Sequence, residues 1–175
     1  LNERVTHLIH FVKLETGEWK AALTKVDLKK FLNEITGSFA TEAEIQNFEF
    51  VSKININDNT FIDMDAGLVT RSLENLIHNT FRYSYPKSRI LFTVNRESSF
   101  FTISICNKSE GINKEDIINI FEPFYRGSKG RNDEGFGLGL ANVAAVIKSH
   151  GWEIGVESIP EKDTTFTINI PILNK

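Results

Sequence analysis

Two stretches of the chain gather residue types that could handle a phosphorylated ligand. The first is RSLENLIHNTFRYS, residues 71–84. Leu73, Leu76, Ile77 and Phe81 recur at spacings that suit one buried helix face, while Asn75, Asn79 and Arg82 stand at i, i+4 and i+7 and project together from another side. An Asn carboxamide oxygen can serve as a neutral Mg²⁺ ligand beside phosphates that carry most of the charge, and an Arg three residues on can reach a phosphate. The bland alternative is that these residues cap a turn or face solvent. The second stretch is GFGLGLANVAAVIKSHG, residues 135–151, in which Gly135, Gly137 and Gly139 precede a run with helical spacing. Backbone amides in such a loop are unobstructed by side chains, and the helix they open contributes roughly half a positive charge at its N-terminus. A hinge or a packing turn would use the same glycines. The loop does not follow a strand directly and lacks a Lys-Ser/Thr pair, so it fits neither a dinucleotide fingerprint nor a Walker loop.

Other parts of the chain must position these groups. The 175 residues, 41% hydrophobic, suffice for one packed domain with a short appendage. The net charge of -3 comes from interspersed Lys, Arg, Asp and Glu, so there is no broad basic field to draw nucleic acid, and no nucleic-acid partner is expected. The single cysteine, Cys106, excludes an internal disulfide and multi-cysteine metal sites, and reads as a buried strand residue. No apolar stretch reaches the ~18 residues that a membrane-spanning helix needs, and LNERVTHLIH lacks the order of a signal peptide. Leu1, Val5, Leu8 and Val12 recur at helical spacing as far as Gly17, a pattern already under way at the first residue, which reads as a fragment of something longer.

Asp27 is placed to cap a helix carrying Leu28, Phe31, Leu32, Ile35 and Phe39, and Asp65 to cap one running from Ala66 to about Ser84. LTKVD, NFEFVSKIN and TFIDMD read as strands, SRILFTVN and FFTISIC as a hairpin, and WEIGVES and TTFTINI as two closing strands. Strands and helices mix without regular alternation. The fold class expected is therefore α/β, a two-layer sandwich of a mixed sheet with helices on one face, rather than a doubly wound parallel sheet.

Four segments, in order along the chain, resemble the motifs of one family. NLIHN followed by FRYS is similar to the N box, FEPFYR to the F box, GFGLGL to the G2 box and TTFTINIP to the closing G3 segment of the catalytic ATP-binding domain of bacterial sensor histidine kinases, within the gyrase, Hsp90, histidine kinase and MutL superfamily. The likeness runs from about Val26 to Pro171, and RVTHLIHFVKLETGEW resembles the second helix of the dimerisation and phosphoacceptor domain entering its linker. It implies a Bergerat-type fold, a boundary that assigns 1–19 to the helical hairpin and linker and 20–175 to the catalytic domain, and the cofactors ATP and Mg²⁺. It also implies roles. Asn79 would ligate Mg²⁺ and, with Arg126 at the terminal phosphate, form the catalytic pair, with Asn75 in support. Arg82 and Tyr83 would lie against phosphates and ribose. Phe121 and Phe124 would anchor one end of a lid from Gly127 to Glu134. Gly135, Gly137, Leu138, Gly139 and Leu140 would hold phosphates, Asn107, Gly111 and Thr165 would lie at the adenine, and Ile112 would be among the ATP-binding residues. The implied partners are the phosphoacceptor helical domain of the parent kinase and a response regulator. The parent would be a homodimer anchored in the bacterial membrane, with this part in the cytoplasm.

Departures from the pattern carry information too. In the adenine box, usually Asp-x-Gly-x-Gly, this chain reads NKSEG: Asn107 replaces the Asp, Ser109 the first Gly, and Gly111 keeps the second. An Asn oxygen can still accept from an adenine amino group, without the carboxylate's charge, and because Asn also donates, discrimination against guanine is expected to suffer. Asp163 stands where the closing segment commonly has Gly and reads as a loop change. Superfamily members that hydrolyse ATP resemble one another in placing a Glu four residues before the metal Asn; here that position is Asn75, and Glu74 is turned away by about 100°, so little hydrolysis is expected. His7 and His10 lack the acid and Pro that follow the family's phosphoacceptor, so the acceptor is expected to lie outside this stretch. His78 reads as a spacer between Asn79 and the core, and His150 as a residue near a helix end. Two rival readings stay open: a degenerate nucleotide-sensing or docking module without phosphotransfer, and a serine-directed kinase of the anti-sigma type, against which LETGEW and FEPFYR count.

Overall fold

The computed structural model describes residues 9, 12, 13, 16, 20–127 and 137–172. The leading stripe beyond Ile9 and Val12, most of the segment 1–19, the lid residues 128–134 and Gly135 lie outside the described residues.

Among the described residues, seven strands and four helices follow one another as β1 (Thr24–Asp27), α1 (Leu28–Ile45), β2 (Glu49–Asn55), β3 (Phe61–Met64), α2 (Ala66–Tyr83), β4 (Arg89–Arg96), β5 (Phe100–Lys108), α3 (Lys114–Asn119), α4 (Gly139–Ser149), β6 (Glu153–Ile159) and β7 (Asp163–Pro171). The main sheet has the order β2-β4-β5-β7-β6, with β2 parallel to β4 and every other pair antiparallel. β1 and β3 form a separate antiparallel ribbon. The sheet is mixed, as expected from the irregular alternation of elements.

Both long helices begin where an aspartate can satisfy the first free amides. The Asp27 carboxylate accepts from the Lys30 amide at 3.2 Å and the Asp65 carboxylate from the Leu68 amide at 3.0 Å. Asp65 also accepts from the Ala22 amide at 3.0 Å, which ties the chain ahead of β1 to the start of α2. Inward strand positions alternate with outward ones, so Ile90, Phe92 and Val94 of β4, Phe101, Ile103 and Ile105 of β5, and Phe166, Ile168 and Ile170 of β7 all reach one face. Leu28, Leu32, Ile35 and Phe39 of α1, Leu73, Leu76, Ile77 and Phe81 of α2, and Val143 and Ile147 of α4 meet them in a single core. Each of the fully buried aliphatic side chains contributes about 1.5–3 kcal/mol, so this face, rather than helix propensity, fixes the roll of α2.

Several expectations change. Cys106 is on β5 as expected but faces outward and is only partly buried, because its parity is opposite to that of Ile105. His78 does not face the core: it is exposed on α2 and its Nε2 lies 3.2 Å from Glu42 Oε1 of α1. Asp163 is the first residue of β7, paired with Ile159 and Lys108, rather than part of a loop.

Candidate functional site

Once the core fixes the roll of α2, its other side faces a cavity. Asn75, Asn79, Arg82 and Tyr83 line a hollow of about 790 Å³, while Glu74, one residue from Asn75, is exposed elsewhere. The opposite wall is the entrance to α4, where Gly137, Leu138, Gly139 and Leu140 line the same hollow. α4 has no side-chain cap at its N-terminus, so its opening turn offers backbone donors and the positive end of the helix dipole. The two walls approach closely: a Cβ added at Gly139 would stand 3.7 Å from Asn75 Oδ1.

Gly137 holds its turn by conformation and by contact. Its φ is +68°, and a Cβ there would lie 2.5 Å from the Tyr125 carbonyl oxygen, so only glycine fits. The adjoining FEPFYR segment brings Tyr125 and Arg126 to the cavity, with the Tyr125 hydroxyl donating to Asp116 Oδ1 at 2.7 Å.

The far end is built from the last residues of β5 and the first of β7. Asn107 and Thr164 face inward there and are 3% and 4% exposed. Asn107 Nδ2 donates to Ser84 Oγ at 2.9 Å. Ser109 and Thr164 hydroxyls lie 2.9 Å apart, Thr164 and Ser158 hydroxyls 2.8 Å apart, and Ser158 accepts from the Ile112 amide at 2.9 Å. Ser109 Oγ also accepts from the Gly111 amide at 3.2 Å. A side chain where the family pattern has glycine is thus absorbed by a closed hydroxyl chain. Gly111, at φ +80°, passes so near Pro160 that a Cβ would meet its Cα at 2.8 Å. Ile112, Ile120 and Phe166 supply apolar walls between these polar groups. At the rim the Tyr85 hydroxyl donates to Glu161 at 2.9 Å; that bond, then desolvation and the negative charges of Glu161 and Glu110, raise its pKa above the ordinary tyrosine value.

Three residues expected at the site stand away from the cavity. Thr165 faces outward: Thr164 and Phe166 take the inward parity of β7 and line the hollow in its place. Phe121 is packed edge-on against Phe166, 6.5 Å between ring centroids, and acts from behind the wall. Phe124, 58% exposed at φ +63°, touches the glycine turn through its backbone, its amide donating to the Gly137 carbonyl at 3.0 Å. Thr80, Ser84, Tyr85, Asp116, Tyr125 and Thr164 also line the hollow and are not singled out by sequence as site residues for a ligand. Ser84 and Tyr85 directly follow the helix that carries the Asn pair, which was the available signal for them.

The arrangement suits a ligand with a polyanionic end and a flat apolar end. Arg82, Arg126 and the α4 N-terminus serve the first, and the slot around Asn107, Ile112 and Phe166 the second. Among the described residues no group of three or more His, Cys, Asp or Glu could cage a metal. Such a donor set fits Mg²⁺ bound chiefly by phosphate oxygens with one or two carboxamides, and does not fit a dedicated protein cage.

The family described as Histidine kinase-, DNA gyrase B-, and HSP90-like ATPase matches residues 64–174. Sensor histidine kinase WalK of Bacillus subtilis is 30% identical over 171 residues, covering 95% of this chain and 28% of that protein. Sensor-like histidine kinase SenX3 of Mycobacterium tuberculosis is 30% identical over 175 residues, covering 99% of this chain and 42% of that protein. The chain thus spans less than half the length of these curated relatives. Among solved structures, full-length ShkA in complex with AMPPNP superposes with a TM-score of 0.80 at 22% identity, over 95% of this chain and 35% of that one. The catalytic domain of histidine kinase ThkA superposes with a TM-score of 0.73 at 23% identity, over 85% of this chain and 95% of that one.

Proposed function

We propose that this chain, which belongs to the histidine kinase-, DNA gyrase B- and HSP90-like ATPase family, is the catalytic part of a two-component sensor kinase, holding Mg-ATP so that its γ-phosphoryl passes to a histidine on a separate helical domain. The observation that carries the reading is the convergence of Asn75, Asn79, Arg82, Arg126 and the α4 entrance on one hollow whose other end is an apolar slot. In this reading residues 20–175 are the catalytic domain and 1–19 lead into it from the helical hairpin. Outside the catalytic part, the partners are that hairpin, a second copy of the parent protein and a response regulator. Among the described residues no helix is long and apolar enough to cross a membrane.

The residues divide the work. Asn79, supported by Asn75, would hold the Mg²⁺, which would neutralise phosphate charge when bound. Arg126 stabilises the charge on the transferring group, and the amides of Gly137 to Leu140 orient the phosphate chain. The lone pair of an acceptor imidazole nitrogen forms the new bond to γ-phosphorus as its bond to the bridging oxygen breaks, and ADP leaves. With Asn75 where a general base would otherwise stand, and Glu74 turned to solvent, no carboxylate on this face of α2 activates water.

The test is transfer of radiolabel from γ-labelled ATP to a dimerisation and phosphoacceptor domain supplied in trans. Label on the acceptor, and none on this chain incubated alone, supports the reading. Nucleotide binding without transfer would favour a sensing module, and brisk phosphate release by the chain alone would defeat the assignment.

A further inference from the structure

At the slot end of the cavity a short hydrogen-bond relay has a fixed direction. We infer that Ser84 is the positioning residue for base selection: it holds the Asn107 amide with its oxygen toward the base, so that the site takes a purine with an amino group at position 6 and rejects one with a carbonyl there. This rests on the nucleotide reading of the cavity given above.

The direction follows from proton counting. Ser84 Oγ donates to the Thr80 carbonyl at 2.5 Å, in the last turn of α2. A hydroxyl has one proton, and a carbonyl can only accept, so toward Asn107 the Ser84 oxygen can only accept. Its partner at 2.9 Å must therefore be the amide nitrogen of Asn107. Turning the amide over would press Oδ1 against Oγ, two acceptors without a proton, unless Ser84 abandoned Thr80. The relay is also anchored at both ends. The Ser84 amide donates to the same Thr80 carbonyl at 3.0 Å, the Tyr85 amide donates to the Lys108 carbonyl at 2.9 Å, and Ser84 pairs with Ser109 across an isolated antiparallel bridge. Ser84 cannot drift from Asn107 without loosening the join between α2 and β5.

With its nitrogen committed, Asn107 has one polar atom left. Oδ1 makes no hydrogen bond among the described residues, although the residue is only 3% exposed and lines the cavity. An unclamped asparagine could present either a donor or an acceptor; this one presents an acceptor. The 6-amino group of adenine supplies the missing proton. The 6-carbonyl of hypoxanthine or guanine would set acceptor against acceptor. The expectation from sequence that asparagine would relax discrimination is thereby reversed: Ser84 leaves Asn107 with only the acceptor half of its amide, as a carboxylate would offer.

The experiment compares the dissociation constants of Mg-ATP and Mg-ITP, which differ at position 6 and the adjoining ring proton, for the unaltered chain and for Ser84→Thr and Ser84→Val. The two variants share a shape and differ in the hydroxyl. The unaltered chain and Ser84→Thr should prefer ATP by roughly tenfold or more. In Ser84→Val the ratio should fall toward parity, chiefly because ITP binds more tightly once Asn107 can turn its nitrogen to the carbonyl. A purely structural loosening would weaken both nucleotides alike and leave the ratio unchanged. Ser84→Ala gives the same comparison should Ser84→Val fold poorly. A valine or alanine variant that keeps the full preference overturns the clamp while leaving the nucleotide site intact, as does an unaltered chain that binds both nucleotides equally. An unaltered chain that binds neither overturns the reading beneath it.

Discussion

The amide of Phe124 donates to the carbonyl of Gly137 at 3.0 Å, and both residues have positive φ, +63° and +68°. This one backbone bond joins the FEPFYR segment to the entrance of α4, and through it the position of Arg126 depends on the turn that presents the phosphate-facing amides.

Gly137→Ala should therefore damage binding out of proportion to its size. The added methyl would stand 2.5 Å from the Tyr125 carbonyl oxygen in a conformation that favours glycine, so the turn must shift. The expected result is a loss of ATP affinity of about tenfold or more, at a cost of roughly 1–3 kcal/mol to the local conformation. Isothermal titration of the variant checks it; unchanged affinity would show that the turn does not shape the site.

Asn79→Ala should separate metal dependence from folding. Asn79 is partly exposed on the cavity side of α2 and outside the core, so the thermal midpoint should change little. The stimulation of ATP binding by Mg²⁺ should disappear. Titrations with ATP in Mg²⁺ and in EDTA, which should coincide for the variant and differ for the unaltered chain, provide the measurement.

Strand parity at β7 yields a paired prediction. Thr164→Val breaks the hydroxyl chain that joins Ser109 and Ser158 inside the cavity and should weaken ATP binding, with a stability loss of about 1–2 kcal/mol for the unmet hydroxyls. Thr165→Val, on the outer face, should leave affinity unchanged within error. Equal effects at the two positions would contradict the register.

His150 tests the frame rather than the site. Its Nδ1 lies 2.8 Å from the Val146 carbonyl, which can only accept, so Nδ1 carries the proton and Nε2 is the acceptor for the Asp65 amide at 3.0 Å. The end of α4 thereby meets the cap of α2. His150→Ala should lower stability by about 1 kcal/mol and the Tm by about 2–4 °C, read by thermal denaturation, with ATP affinity preserved.

Much of this was legible in the residues because each signal was local. Asp27 and Asp65 are helix caps by residue type and position, and the i, i+4, i+7 spacing of Asn75, Asn79 and Arg82 opposite Leu73, Ile77 and Phe81 fixes which side of α2 meets the cavity once the other is buried. What sequence could not give was decided between distant segments. Whether Thr164 or Thr165 points inward depends on pairing register, since a slip of one residue exchanges the faces. His78 found Glu42 across a helix pair, and Phe121 found Phe166 instead of the cavity. The direction of the Asn107 amide needed Ser84 and Thr80, more than twenty residues earlier, to be seen in place.

The most direct test of the central claim is a calorimetric titration of the unaltered chain with ATP in the presence of Mg²⁺, set beside Arg126→Ala and Asn79→Ala. The account predicts one saturable site that both substitutions weaken by about tenfold or more, as expected for charged or metal-linked contacts to phosphate. A flat trace at millimolar nucleotide, or full binding that neither substitution alters, would contradict it.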